Sequence, residues 1–249
     1  MMSRDDRLRV EDADGVRRLV LDRPEARNAL DGALVAALAE AVAAAGADPS
    51  VRVVVLAGTG AGFSAGADLK ETARISDPAA AAAHAHRMRL LLDAPGEIDK
   101  PVIAQVHGFA LGAGCALALA CDVVVCTADA RLGFPEMRHA VVPALVVPGI
   151  VQRAGPLLAF DLLANGRIFT ATEAAIPGLV VLPAGTDVAS DVARRAAELA
   201  AHPPELLAAV KRMVRTSDRS DQASAMDAAE QVNVENRLRR ARTTRQDGE

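Results

Sequence analysis

KPVIAQVHGFALGAGCALALACDVVV, residues 100–125, decides the fold class. PVIAQVHG at 101–108 is an apolar, β-branched run ending in glycine, the pattern of a buried strand. Glycines follow at 108, 112 and 114, and the small apolar residues from about Gly112 to Cys121 suit a helix. DVVVCTA then supplies another strand. Strand, helix and strand in succession form a βαβ pattern, which predicts an α/β chain with helices packed on sheets.

Working outward, VRVVVLAG at 51–58 is a further buried strand, and LRVED and VRRLVL form a hairpin around Asp14-Gly15. Asp31 is placed to cap a helix through ALVAALAEAVAAAG, and a short helix is expected from Leu69. An Ala-rich helix over 78–93 opens at Asp77-Pro78, where proline suits the first turn. From Gly149 onward helices dominate, at 149–164, 171–176, 187–201, 204–216 and 221–240, and residues 241–249 are expected to lack structure. This pattern predicts a core over 1–195 and a helical C-terminal region over 196–249.

Composition narrows the function. With 51% hydrophobic and 24% charged residues, the 249-residue chain has the balance of a globular protein. Aromatic residues are only 2%, so Ala, Val and Leu must build the core; each buried alanine contributes little, which favours extra burial between subunits. A net charge of −4 gives no field to recruit nucleic acid. The cluster Arg237, Arg239, Arg240, Arg242 and Arg245 is read as a solvated helix end. Cys115, Cys121 and Cys126 have neither CxxC spacing nor an even count, so no zinc site or disulfide framework is expected. No apolar run reaches membrane-spanning length, and MMSRDDRLRV does not resemble a signal peptide. A cytoplasmic setting is therefore expected.

Three motifs invite mechanistic readings. GFSAG (62–66) matches the serine-hydrolase elbow, but that motif needs Ser at a sharp strand-to-helix turn, and here a glycine-rich stretch intervenes. Gly58, Gly60 and Gly62 fail the dinucleotide pattern because its last glycine would fall at Phe63. His84 and His86, two apart on a helix, face different directions and cannot share a metal, and His107, His139 and His202 lack zinc spacing. No metal site is expected. The third motif, the glycine cluster Gly112-Ala113-Gly114 at a helix start, offers unpaired N–H groups and a partial positive charge that would stabilise a developing anion. FSAGADLK (63–70) offers a second such donor at Ala67.

Together, RPEARNAL (23–30), VVVLAGTGAGFSAGADLK (53–70), the 100–125 stretch and LGFPE (132–136) resemble the crotonase superfamily, the enoyl-CoA hydratase/isomerase family. The match runs in order through about the first 140 residues. The resemblance implies a crotonase-like spiral of ββα repeats with a helical C-terminal trimerisation region, assembling as a homotrimer or a dimer of trimers. It also implies an acyl-CoA thioester substrate and no separate cofactor, coenzyme A being part of the substrate. By position, Ala67 and Ala113 become the oxyanion-hole donors and Glu136 the acid/base that exchanges a proton with the α-carbon. Arg27, Ala65, Asp68, Leu69, Lys70, Gly112 and Ala116 would border the substrate, with Arg27 and Lys70 on the CoA phosphates.

Three departures bear on the reaction. Ala113 stands where the family usually has glycine, although a backbone donor tolerates a methyl group. Ala116 stands where hydratases carry their water-activating glutamate. Ala144 stands where dienoyl-CoA isomerases carry an aspartate, within an apolar stretch, VVPALVVPG, expected to line the acyl pocket. Residues around His84, His86 and Met88 are expected near that pocket. The leading expectation is double-bond isomerisation by Glu136 alone. Hydration with a substitute group, His139 or Asp68, is the second. An acyl-CoA-binding protein with weak catalysis is the third.

Overall fold

A computed structural model of the chain describes residues 6–246. The expected hairpin joins β1 (Leu8–Ala13) to β2 (Val16–Leu21), and its turn residues Asp14 and Gly15 both have positive φ, as a tight hairpin turn requires. A 3-10 turn at Pro24–Ala26 leads to α1 (Gly32–Ala47), capped as expected by the Asp31 carboxylate, which accepts from the Leu34 N–H. Next come β3 (Val53–Gly58), the single-turn α2 (Leu69–Thr72) and α3 (Pro78–Glu97). The decisive stretch forms β4 (Val102–Val106), β5 (Phe109–Leu111), α4 (Ala113–Ala120) and β6 (Val123–Thr127). Then follow β7 (Arg131–Gly133), a 3-10 helix over Pro135–His139, and α5 (Val147–Ala164). After these come β8 (Ile168–Thr170), α6 (Ala171–Ala174), β9 (Leu179–Leu182) and α7 (Val188–Ala200).

The main sheet has the order β1-β2-β3-β4-β6-β9, antiparallel at the hairpin and parallel beyond it. Both faces of its centre are covered, as a parallel sheet requires, so its strands read as unbroken apolar runs. Val53, Val55, Ile103 and Val125 pack with Val188, Val192 and Ala196 of α7. Val54, Leu56, Val102, Ala104 and Cys126 face the other way, into the core formed with α1, α3 and α4.

A second sheet, β5-β7-β8, was not legible in the sequence. Its strands are three residues each, too short for a period to show. It explains the repeat: each unit contributes a strand to the large sheet, one to the small sheet, then a helix, as in β4-β5-α4 and β6-β7-α5. The segment after β3 follows the same course, with Ser64 bridging Ala110 of β5 in place of a full strand. This is the crotonase-like spiral of ββα repeats.

The chain divides into Met1–Ala201 and His202–Glu249. The boundary at 195 expected from sequence falls inside α7. The second unit holds α8 (Pro204–Arg219) and α9 (Gln222–Gln246). α9 thus continues through residues expected to lack structure, because RTTRQ contains no glycine or proline to stop it. Residues 247–249, and the side chains of Arg239, Arg240, Arg242 and Arg245, lie outside the described residues. Arg237 is exposed and donates to Asn233. No helix among the described residues is long and apolar enough to cross a membrane.

Asp31 does two jobs. Besides capping α1 it pairs with Arg7 and lies 3.3 Å from Arg23. Asp31→Ala should therefore lower stability by about 1–2 kcal/mol, read as a lower denaturant midpoint at unchanged slope.

Candidate active site

Two glycine turns are pressed together at the heart of the first unit. A Cβ built on Gly66 (φ +92°) would lie 2.6 Å from the Leu111 carbonyl oxygen and 3.2 Å from the Ala113 nitrogen. Any side chain there would force the turns apart. The loop that ends in Ala67 therefore runs directly beside the N-terminus of α4.

The hydrogen bonding around the two turns leaves the N–H groups of Ala67 and Ala113 open. Residues 66–68 pair with Leu30 in a parallel bridge: Leu30 donates to the Gly66 carbonyl at 2.8 Å and Asp68 donates to the Leu30 carbonyl at 3.0 Å. In such a bridge the intervening N–H, that of Ala67, points the other way. The Ala113 N–H opens α4 and has no residue one turn before it to bond. Neither donor has an acceptor among the described residues. The Gly112 N–H, expected to be free as well, instead donates to the Gly133 carbonyl at 2.8 Å, tying the turn to β7.

Glu136 completes the cluster. It belongs to the 3-10 helix after β7, and its Oε1 would be 2.7 Å from a Cβ built on Gly112, whose φ is +52°. Gly112 is thus fixed twice, by its backbone angle and by the carboxylate against its Cα. Oε2 of Glu136 is the one buried side-chain nitrogen or oxygen without a hydrogen-bond partner among the described residues. Burial pushes this carboxyl above the ordinary glutamate range, while a backbone hydrogen bond and the nearby His139 pull in the opposite direction. A carboxylate oxygen sealed without a partner is costly, and a group kept at that cost is a candidate for chemistry.

Ala113 and Ala116 sit three apart on α4, and each keeps 8% of its surface open while their neighbours Cys115 and Leu117 are sealed. The Ala116 methyl thus shares the helix face that carries Ala113. The expected CoA-bordering residues divide into two groups. Arg27, Leu69 and Lys70 are exposed, and no described residue pairs with the two cations. Ala65 donates its N–H to the Arg27 carbonyl at 3.0 Å, joining the two loops. Asp68 is otherwise engaged: its carboxylate takes 2.7 Å from Arg23 and accepts from the N–H groups of Lys70 and Glu71. Those donors hold it below the ordinary aspartate range despite burial.

Ser64 is fully buried, donates to the Asn28 carbonyl and accepts from the Gly66 N–H, so its hydroxyl is structural rather than an exposed nucleophile. His107 is held at the Gly60 carbonyl, and Met88 points into the core. Among the described residues no three His, Cys, Asp or Glu side chains gather as metal ligands.

Several supporting residues escaped the sequence reading. Asn28, buried and at φ +54°, holds the Thr59 and Gly62 carbonyls through its amide while its oxygen accepts from the Arg23 N–H. An Asn suits that left-handed position, which was the available signal in RPEARNAL. Phe63 and Phe134 are fully buried, and each roots a loop of the site in the core. Their shared Gly-Phe setting, in GFSAG and GFPE, was the signal there.

The profile of the enoyl-CoA hydratase/isomerase family matches residues 11–245. The chain belongs to the enoyl-CoA hydratase/isomerase family. It is 39% identical over 201 residues to the 2,3-dehydroadipyl-CoA hydratase of Escherichia coli, an overlap covering 80% of this chain and 78% of that one. It is 37% identical to the mevalonyl-coenzyme A hydratase of Beauveria bassiana, covering 75% and 70%. The crystal structure of an enoyl-CoA hydratase from Mycobacterium smegmatis superposes with a TM-score of 0.88 at 31% identity, covering 92% of this chain and 90% of that one. As an enzyme of this family the chain acts on acyl-CoA thioesters, and the crotonase fold expected from its sequence is present.

The half-buried Glu136 of this family member carries a stability consequence. Because its pKa is raised on folding, the native state holds the proton more tightly than the unfolded one, so its contribution falls as pH rises from the ordinary glutamate value toward the raised one. Glu136→Gln should therefore melt at a higher temperature than the wild type at neutral pH. That advantage should vanish in melts recorded below the ordinary glutamate pKa.

Proposed function

We propose that this family member isomerises the double bond of an enoyl-CoA, with Glu136 as its single acid/base. The Glu136 carboxylate removes a proton from C2 of a 3-enoyl-CoA, and the C2–H electrons move to the thioester oxygen. The resulting dienolate is held by the N–H groups of Ala67 and Ala113. Glu136, now a carboxylic acid, delivers a proton to C4, leaving a 2-enoyl-CoA. Substrate and product have the same atoms, so one base suffices and no water is consumed.

One observation carries the reading: the orphan Glu136 carboxylate lies against the turn bearing the open Ala113 N–H, while Ala116 has only a methyl group. A general acid or base contributes ~10²–10⁴-fold, so hydration loses that factor when its water-activating glutamate is a methyl. Asp68, one of the two substitutes considered, is committed to Arg23. The apolar and exposed Val141, Val142 and Leu145 after the Glu136 helix support a hydrophobic acyl group. Arg27 and Lys70, exposed and without a partner among the described residues, support contacts with the CoA phosphates.

Hydration is the second reading, favoured by the hydratase activity named for the Escherichia coli and Beauveria bassiana relatives. We further propose that the enzyme needs no cofactor beyond the coenzyme A of its substrate. A homotrimer or dimer of trimers through α8 and α9 is supported by the exposed Val210, Val214, Met226 and Val234. The free cysteines suit a reducing cytoplasm.

Mass spectrometry of 3-enoyl- and 2-enoyl-CoA incubated with the enzyme in D₂O separates the readings. Isomerisation moves the double bond without adding a water molecule, and Glu136→Gln should slow it at least ~10²-fold. Rapid addition of water across the 2-enoyl bond would sink the isomerase reading in favour of hydration.

A further inference from the structure

Glu136 is half-buried and its Oε2 is sealed from solvent, so the site must answer how that oxygen's proton reaches solvent. The 3-10 helix Pro135–His139 gives a geometric answer. Residues three apart in a 3-10 helix lie one above the other, so Glu136 and His139 share a face. Met137 and Arg138 lie beside Gly166: a Cβ built there would meet Met137 Cβ at 3.3 Å and Arg138 Cγ at 3.2 Å. The Glu136 face turns instead to Gly112. His139 ends the helix, is exposed, and is close enough for its charge to act on Glu136.

We propose that His139 is a proton relay between Glu136 and solvent, a role that rests on Glu136 acting as the acid/base of an acyl-CoA reaction. The Glu136 carboxylic acid formed after C2 deprotonation gives its proton to the imidazole, leaving a carboxylate and an imidazolium. The imidazolium passes a proton to water and regains one from solvent, which returns to Glu136 and then to the substrate. No electron pair leaves the cycle. Competing routes are poor. Cys115 also feels Glu136, but it is fully buried and its thiol is pushed up to about 12 by desolvation, so it stays protonated and leads nowhere. Arg138 does not release its proton. An imidazole both takes up and releases protons near neutrality.

The test is deuterium gained per double-bond shift when a 3-enoyl-CoA is turned over in D₂O, read by mass spectrometry at partial conversion. This ratio is independent of the turnover rate. The wild type should incorporate close to one solvent deuteron per shift. His139→Ala, a change at an exposed position, should retain the substrate's own proton and incorporate at least ~10-fold less, since the relay group is gone. Free imidazole in the buffer should restore the exchange. Equal deuterium per shift in wild type and variant would overturn the relay and leave the Glu136 chemistry standing. A deficit that imidazole does not repair would overturn it too, as a structural effect. A wild type that neither shifts the bond nor exchanges the α-proton would overturn the relay together with the isomerase reading.

Discussion

Contact between the Gly66 turn and the Gly112 turn is the constraint on which the rest of the site depends. With less than 3 Å between a would-be Cβ on Gly66 and the Leu111 carbonyl, the two loops can meet only as bare backbone. That approach brings together a donor from the loop after β3 and a donor from the start of α4, elements far apart in sequence. It also exposes the Cα of Gly112 to the Glu136 carboxylate. Three ββα units thus each supply one functional group: an N–H, a second N–H and a carboxylate. The sheets act as the frame that sets their spacing.

The frame is expensive in places, and the structure shows where the cost is met. Asn28 and Arg23 strap the first loop through four hydrogen bonds to Thr59, Gly62, Asp68 and Ala29. Burying Phe63 and Phe134 adds about 2–3 kcal/mol each by apolar transfer, in a chain with few aromatic residues. Against this stand the left-handed backbone at Asn28 and Gly112 and the unsatisfied Oε2 of Glu136. Strain and an orphan charge side by side are characteristic of places where function competes with stability.

Much of this was legible in the sequence, and for a physical reason. The buried strands 51–58 and 101–108, the capped α1 and the glycine turns are dictated by local rules, since burial on both faces, caps and positive φ each demand particular residue types. The four ordered motifs identified the family, and Glu136, Ala67 and Ala113 were named from them. What stayed hidden depends on distant partners. The three-residue strands β5, β7 and β8 exist only because they pair with one another. The pairing of Asp68 with Arg23 could not be read from the sequence, because the two lie 45 residues apart. Gly112 was counted among the free donors because its acceptor, Gly133, lies beyond the next strand.

The central claim is that the two open N–H groups and the orphan carboxylate act on one thioester. A crystal structure with a non-reactive acyl-CoA bound tests it most directly. The account predicts the thioester oxygen at about 2.7–3.1 Å from both the Ala67 and Ala113 nitrogens, with Glu136 facing the α-carbon. A thioester bound elsewhere, or one that reaches neither nitrogen, would contradict it.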